Sequence, residues 1–120
     1  MYLFVALGGA LGSMFRYFLS SNIKDGGNFP LPTFIINLFG AFLIALISFY
    51  VEKNKIDSRL VLFLKVGFCG GFTTFSTFAF EIFNLEKNGN IFFTIFYPFA
   101  SIIFSIILIY LAKYIIFGRF

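Results

Sequence analysis

Charge along this chain falls only between long apolar runs, and the length of those runs is what most restricts the fold. A bilayer core about 30 Å thick takes roughly 20 residues of apolar helix at 1.5 Å each. Four runs of that order stand between charged or Gly/Pro-rich breaks, at about residues 2–19, 33–51, 60–85 and 91–117. The first carries Arg16 near its far end and the second carries no charge. The third has Lys65 early and Glu81 late, and the fourth has Lys113 near its end. The first run lacks a basic start and a small-residue cleavage motif, and three further spans follow it, so it reads as a span and not as a cleaved signal peptide. The connecting segments are short. Residues 1–120 therefore read as a single four-helix transmembrane domain with both termini on one side.

Composition narrows the function. A soluble domain is about a quarter charged, whereas this chain is 12% charged and 60% hydrophobic, with 22 Phe. That much apolar surface cannot be hidden in so small a fold. The absence of His removes His-based acid–base chemistry, Ser/His/Asp triads and His metal sites, and no carboxylate pair is clustered, so the chain does not read as an enzyme. Cys69 is the only cysteine and has no partner for an intramolecular disulfide. The net charge of +4 does not gather on one polar face as in a nucleic-acid binder, so no nucleic-acid partner is expected. Lys53, Lys55, Arg59, Lys65, Lys113 and Arg119 lie on the side of the termini, against Arg16, Lys24 and Lys87 opposite, which places the termini in the cytoplasm.

The polar residues inside the spans carry the functional information. In Gly67-Phe68-Cys69-Gly70-Gly71-Phe72-Thr73-Thr74-Phe75-Ser76-Thr77-Phe78, three glycines and four hydroxyl residues occupy the middle of the third span. Glycine weakens a helix interior and hydroxyls compete for backbone partners, so a break near 70–74 is expected, with close packing through small residues as the alternative. Broken backbone at membrane depth must be buried or line a polar cavity, where freed carbonyls can coordinate a cation. Phe75 and Phe78 share one helical face, and the positive edge of an aromatic ring can meet a small anion without a full charge. Asn37, with Thr33 four residues earlier, brings amide donors into the uncharged second span, either to bond a neighbouring helix or to face a permeating species. Tyr97, Ser101 and Ser105 recur at steps of four along the last span as a hydroxyl stripe. Gly8 and Gly12 have the Gly-x-x-x-Gly spacing of close helix approach, and Arg16 must reach water or a partner.

These residues resemble the CrcB/Fluc fluoride channels along essentially the whole chain. Gly8-Gly9-Ala10-Leu11-Gly12 with Arg16-Tyr17 is similar to the family's opening motif, Thr33 to Asn37 with Gly40 to its second, and Gly67 to Phe78 to its most specific. The resemblance implies an all-α membrane protein with four transmembrane helices per subunit, a third helix broken mid-membrane, and an antiparallel, dual-topology dimer with two fluoride pathways along the interface. It implies a structural sodium ion at the dimer centre, held by the backbone carbonyls of Gly70 and Thr73. In the pathway it implies Asn37 as amide donor, Phe75 and Phe78 as ring edges, and Tyr97, Ser101 and Ser105 as the track, with Thr33 and Ser76 beside them. Arg16, Gly8, Gly12 and Glu81 are vestibule or interface candidates. The next step of four falls on Ile109, where the family track resembles one hydroxyl more. Because the cation count is lopsided, the second subunit is expected to be either an identical copy or a homologous chain of opposite bias.

The function implied is passive, selective fluoride export across the inner (plasma) membrane of a prokaryote, with fluoride, lipid and the second subunit as partners. One rival is a small multidrug-type proton-coupled exporter with four helices; such exporters resemble one another in an acid within the first span, which is absent here. The other rival is a non-conducting membrane assembly subunit, which explains the hydrophobicity but not the placement of Asn, Phe and Ser.

Overall fold

The computed structural model describes residues Met1–Phe120. The helices are α1 (Tyr2–Asn22), α2 (Leu31–Lys53), α3 (Ser58–Val61), a π-helix (Leu62–Cys69), α4 (Gly70–Phe72), α5 (Phe75–Lys87) and α6 (Ile91–Phe117). Four units are long and apolar enough to cross a membrane: α1, α2, the 30-residue run Ser58–Lys87 and α6. The protein is all-α, and its extended pairing is limited to an isolated bridge between Gly26 and Phe29 in the first loop.

Local chemistry sets the ends. α1 continues past Leu19 because the Ser20 and Ser21 hydroxyls donate to Tyr17 O and Asn22 Nδ2 donates to Phe18 O. α2 opens with Pro32 in its first turn, where a missing N–H is harmless. Asp57 Oδ1 accepts from Arg59 N at 2.8 Å to cap α3, and the Arg59 guanidinium holds the Asp57 carboxyl below its ordinary range. Asn90 Oδ1 accepts from Phe93 N to cap α6, whose far end closes on Gly118 with a left-handed φ of 72°.

Glycines determine how α1 meets the third span. A Cβ on Gly8 would strike Phe63 O, and one on Gly12 would strike Phe68 O; opposite them, a Cβ on Gly67 would lie 2.8 Å from Val5 O. The Gly-x-x-x-Gly pair is thus used within the subunit, to bring α1 against the π-helix backbone. α2 packs mainly on α6, and α5 also rests on α6. The first loop is pinned by Phe29, whose ring touches Phe34, Phe93, Phe96 and Tyr97.

In the third span the helix does not fail at the glycines. Gly70 and Gly71 remain helical, and only Thr73 (φ −82°, ψ 155°) and Thr74 (φ −144°, ψ 119°) are extended. The Thr74 side chain then caps α5 by accepting from Thr77 N at 3.3 Å. The span keeps nearly one direction, bent by 17°, and does not part into two diverging half-helices. Only 14 of the 120 residues are buried, with Tyr97, Phe72, Ile36 and Cys69 the largest of them. Most of the apolar side chains therefore face outward, as lipid-facing helices require.

Candidate functional site

The two extended residues sit beside a groove of about 470 Å³ formed by α2, the third span and α6. α2 contributes Asn37, Gly40, Ala41 and Ile44, which recur at helical spacing and so share a face. Gly40 is glycine for want of room, since a Cβ there would strike the Thr73 side chain. From α6 come Ser101 and Ser105 with their neighbours Ile102 and Ile106, and from the third span come Cys69, Thr73, Thr74, Phe75 and Phe78. No charged side chain lines the groove.

Asn37 lines the groove and bonds both backbone polar groups of Thr74. Its Oδ1 accepts from Thr74 N at 2.9 Å and its Nδ2 donates to Thr74 O at 3.1 Å. One amide hydrogen remains for another acceptor. The sequence left open whether Asn37 bonds a neighbouring helix or faces a permeating species; here the amide bonds the third span while lining the groove.

The interruption also redirects donors. An unbroken helix would send Thr74 N to Gly70 O and Thr77 N to Thr73 O. Instead Thr74 N goes to Asn37 Oδ1 and Thr77 N goes to Thr74 Oγ1. The carbonyls of Gly70 and Thr73, the expected cation ligands, are the two that lose these helical donors. Gly71 O, between them, accepts from Arg16 Nε at 3.1 Å and from Ser13 Oγ at 3.4 Å. Arg16 thereby finds its partner in the backbone next to the interruption.

Ser101 Oγ is the one buried side-chain polar atom without a hydrogen-bond partner, and its residue is 8% exposed on the groove wall. The Phe75 and Phe78 ring centroids are 6.0 Å apart, with Phe75 79% exposed and Phe78 half-buried against Tyr97, edge to face at 4.9 Å.

Other expected residues lie elsewhere. Tyr97 is fully buried and its hydroxyl donates to Glu81 Oε1 at 2.9 Å; Thr33 Oγ1 donates to Glu81 Oε2 at 3.0 Å. Glu81 thus joins α2, α5 and α6, and it borders a polar pocket of about 280 Å³ with Asp25, Asn28, Asn84 and Asn88. Ser76 and Gly70 are exposed and do not line the groove. Sequence reasoning did not single out Ala41, Ile44, Thr74 or Ser13. The first two were readable as steps of four and seven from Asn37, whereas Thr74 and Ser13 act through contacts that no spacing encodes.

A family model described as "CrcB-like protein, Camphor Resistance (CrcB)" matches residues 3–113. Among curated relatives, the fluoride-specific ion channel FluC of Thermus thermophilus is 39% identical over 112 residues, covering 92% of this chain and 88% of the relative. The proteins of the same name from Geotalea daltonii and Clostridium perfringens are 44% and 47% identical, each over 92 residues and 74% of this chain, covering 74% and 72% of the relative respectively.

Proposed function

The chain belongs to the CrcB-like family, and from that premise we propose that it is a fluoride-specific channel through which fluoride leaves the cytoplasm passively along the groove between α2, the third span and α6. It is an ion channel and not an enzyme. The observation that carries the reading is the lining itself: an amide, two serine hydroxyls and two phenyl rings gathered at membrane depth without a charged side chain, one hydroxyl being buried and unpartnered.

Fluoride holds its water tightly, so a path for it must replace that water with several weak donors and still let the ion go. The free Asn37 N–H, the Ser101 and Ser105 hydroxyls and the Phe75 and Phe78 ring edges are such donors. The first turn of α5, at Thr74 and Phe75, adds the positive end of a helix dipole. A lysine or arginine at this depth would bind the anion too well for release. Fluoride trapped by ionisation inside the cell leaves down its gradient, helped by about 2.3 kcal/mol per charge for each 100 mV of inside-negative potential. In this reading Tyr97 and Thr33 act at the end of the path by fixing Glu81, and Ser76 lies beside the rings.

The working unit we propose is an antiparallel pair, with either an identical or a homologous chain, in the inner membrane of a prokaryote. The non-helical pair Thr73–Thr74 serves there as the break in the third helix. The Gly70 and Thr73 carbonyls fit a structural sodium ion, because both have lost their helical donors and carbonyl oxygen suits a hard cation. Such an ion would hold the two interruptions together. The absence of an acid from α1 weighs against a proton-coupled exporter. The test is efflux from liposomes containing the purified protein, followed with a fluoride electrode and, in parallel, a chloride electrode. Fast fluoride efflux with little chloride efflux is expected; equal leakage of both ions refutes the assignment.

A further inference from the structure

At the end of the bundle that carries the termini, α2, the third span and α6 line a second, open-sided cavity, of about 330 Å³, that shares no residue with the fluoride groove. Nine apolar and aromatic side chains line it, among them Leu46, Tyr50, Leu60, Leu64 and Ile116, with Ile56 of the connecting loop. A wholly apolar cavity at a helix end, inside a protein already surrounded by lipid, has no use for water.

One cation stands at its wall. Lys53 Nζ donates to Ile116 O at 2.9 Å, which places an ammonium at the wall of the cavity with two donors still free. Lys55 precedes the lining residue Ile56, and Lys113 lies three residues before Ile116 on the same helical face. The acids at this end are Glu52 and Asp57, and Asp57 is consumed in the chain's one ion pair, with Arg59 at 3.1 Å. An apolar slot with the Lys53 ammonium at its wall and Lys55 and Lys113 near by in the chain matches an amphiphile with a hydrocarbon tail and a negative head.

We propose that this cavity binds an anionic phospholipid, one acyl chain lying in the apolar slot and the phosphate on Lys53, with Lys55 and Lys113 adding attraction. The inference rests on the chain crossing a membrane and not on which ion it conducts, so the flux assay and the lipid assay fail independently. Each lysine near an anionic headgroup contributes about fivefold in affinity, and Lys53 is the one already fixed at the rim.

The chain has no Trp, so Tyr50→Trp places a single fluorophore in the cavity wall. The full-length variant is reconstituted in phosphatidylcholine vesicles doped with acyl-brominated phosphatidylglycerol or acyl-brominated phosphatidylcholine. A separate Tyr2→Trp variant, with its indole at the same end but outside the cavity, reports the general lipid surface. The expected result is that the Tyr50→Trp variant is quenched by brominated phosphatidylglycerol at a mole fraction about fivefold lower than by brominated phosphatidylcholine. The Tyr2→Trp variant should show a weaker preference, and adding Lys53→Gln to Tyr50→Trp should remove most of the preference in the cavity. Equal quenching of the cavity indole by both lipids overturns the proposal, as does a preference no greater than that of the Tyr2→Trp variant or one unaffected by Lys53→Gln. No quenching by either lipid, the result if a second copy covers the cavity, also overturns it. Lipid retained through purification and identified by native mass spectrometry of the unmodified protein gives an independent reading: phosphatidylglycerol must be enriched over its membrane share.

Discussion

Replacing Asn37 with Ala tests whether its amide holds the interruption of the third span together. In the native protein Oδ1 accepts from Thr74 N at 2.9 Å and Nδ2 donates to Thr74 O at 3.1 Å. Asn37→Ala leaves both backbone groups unpaired in a part-buried site. A buried group without its partner costs about 1–3 kcal/mol, so the pair costs about 2–6 kcal/mol. Interhelical hydrogen bonds in membranes run lower, at about 0.6 kcal/mol on average, because the unfolded reference also finds partners. The expected loss therefore lies between about 1 and 6 kcal/mol. Asn37→Asp separates this support from conduction: its carboxylate can still accept from Thr74 N but loses the donation to Thr74 O and puts a negative charge in the proposed anion path. It should retain more stability than the alanine variant while conducting no better. The assays are thermal unfolding in detergent and fluoride efflux from liposomes. Refutation would be Asn37→Ala melting with the unmodified protein, or Asn37→Asp conducting at the native rate.

Three further outcomes follow from the same geometry. Gly12→Ala, whose Cβ strikes Phe68 O, should cost about 1–3 kcal/mol in thermal stability, whereas Gly9→Ala, 3.8 Å from Gly67 O, should be close to neutral; equal melting curves would show that α1 does not need the backbone contact. Phe75→Ile or Phe78→Ile should cut fluoride efflux while leaving the size-exclusion profile unchanged, and native flux in both would remove the rings from the path. Replacing sodium with N-methylglucamine throughout purification and assay should abolish flux if the Gly70 and Thr73 carbonyls hold a structural sodium ion; undiminished flux would dismiss that site.

The residues differ in how far their placement could be read from sequence. The four spans were legible because hydrocarbon thickness sets a minimum length that no soluble helix pattern mimics. The two extended residues, Thr73 and Thr74, fall at the end of the stretch 70–74 where a break was expected, while the glycines before them stay helical. Gly71 stays helical against α1, where a Cβ would fall 2.6 Å from Gly9 O, while the donors diverted to Asn37 and to the Thr74 side chain unwind the two threonines. The π-helix at Leu62–Cys69 carries no local signature, because a widened turn uses the same apolar residues as an ordinary one.

The hydroxyl stripe shows how one spacing divides between two surroundings. At 3.6 residues per turn a step of four overshoots a full turn by about 40°, so Tyr97 is rotated by about 80° from Ser105. That rotation separates their roles: Ser101 and Ser105 stay on the groove wall, while Tyr97 turns into the subunit and meets Glu81, which Thr33 approaches from α2. The serine face and the Glu81 node are therefore two faces of one helix, and a three-residue pattern read as a single track crosses from one to the other. The same geometry makes the groove's polarity independent of Ile109. That residue lies one turn past Ser105 and outside the lining, so an apolar side chain there takes no hydroxyl from the groove wall.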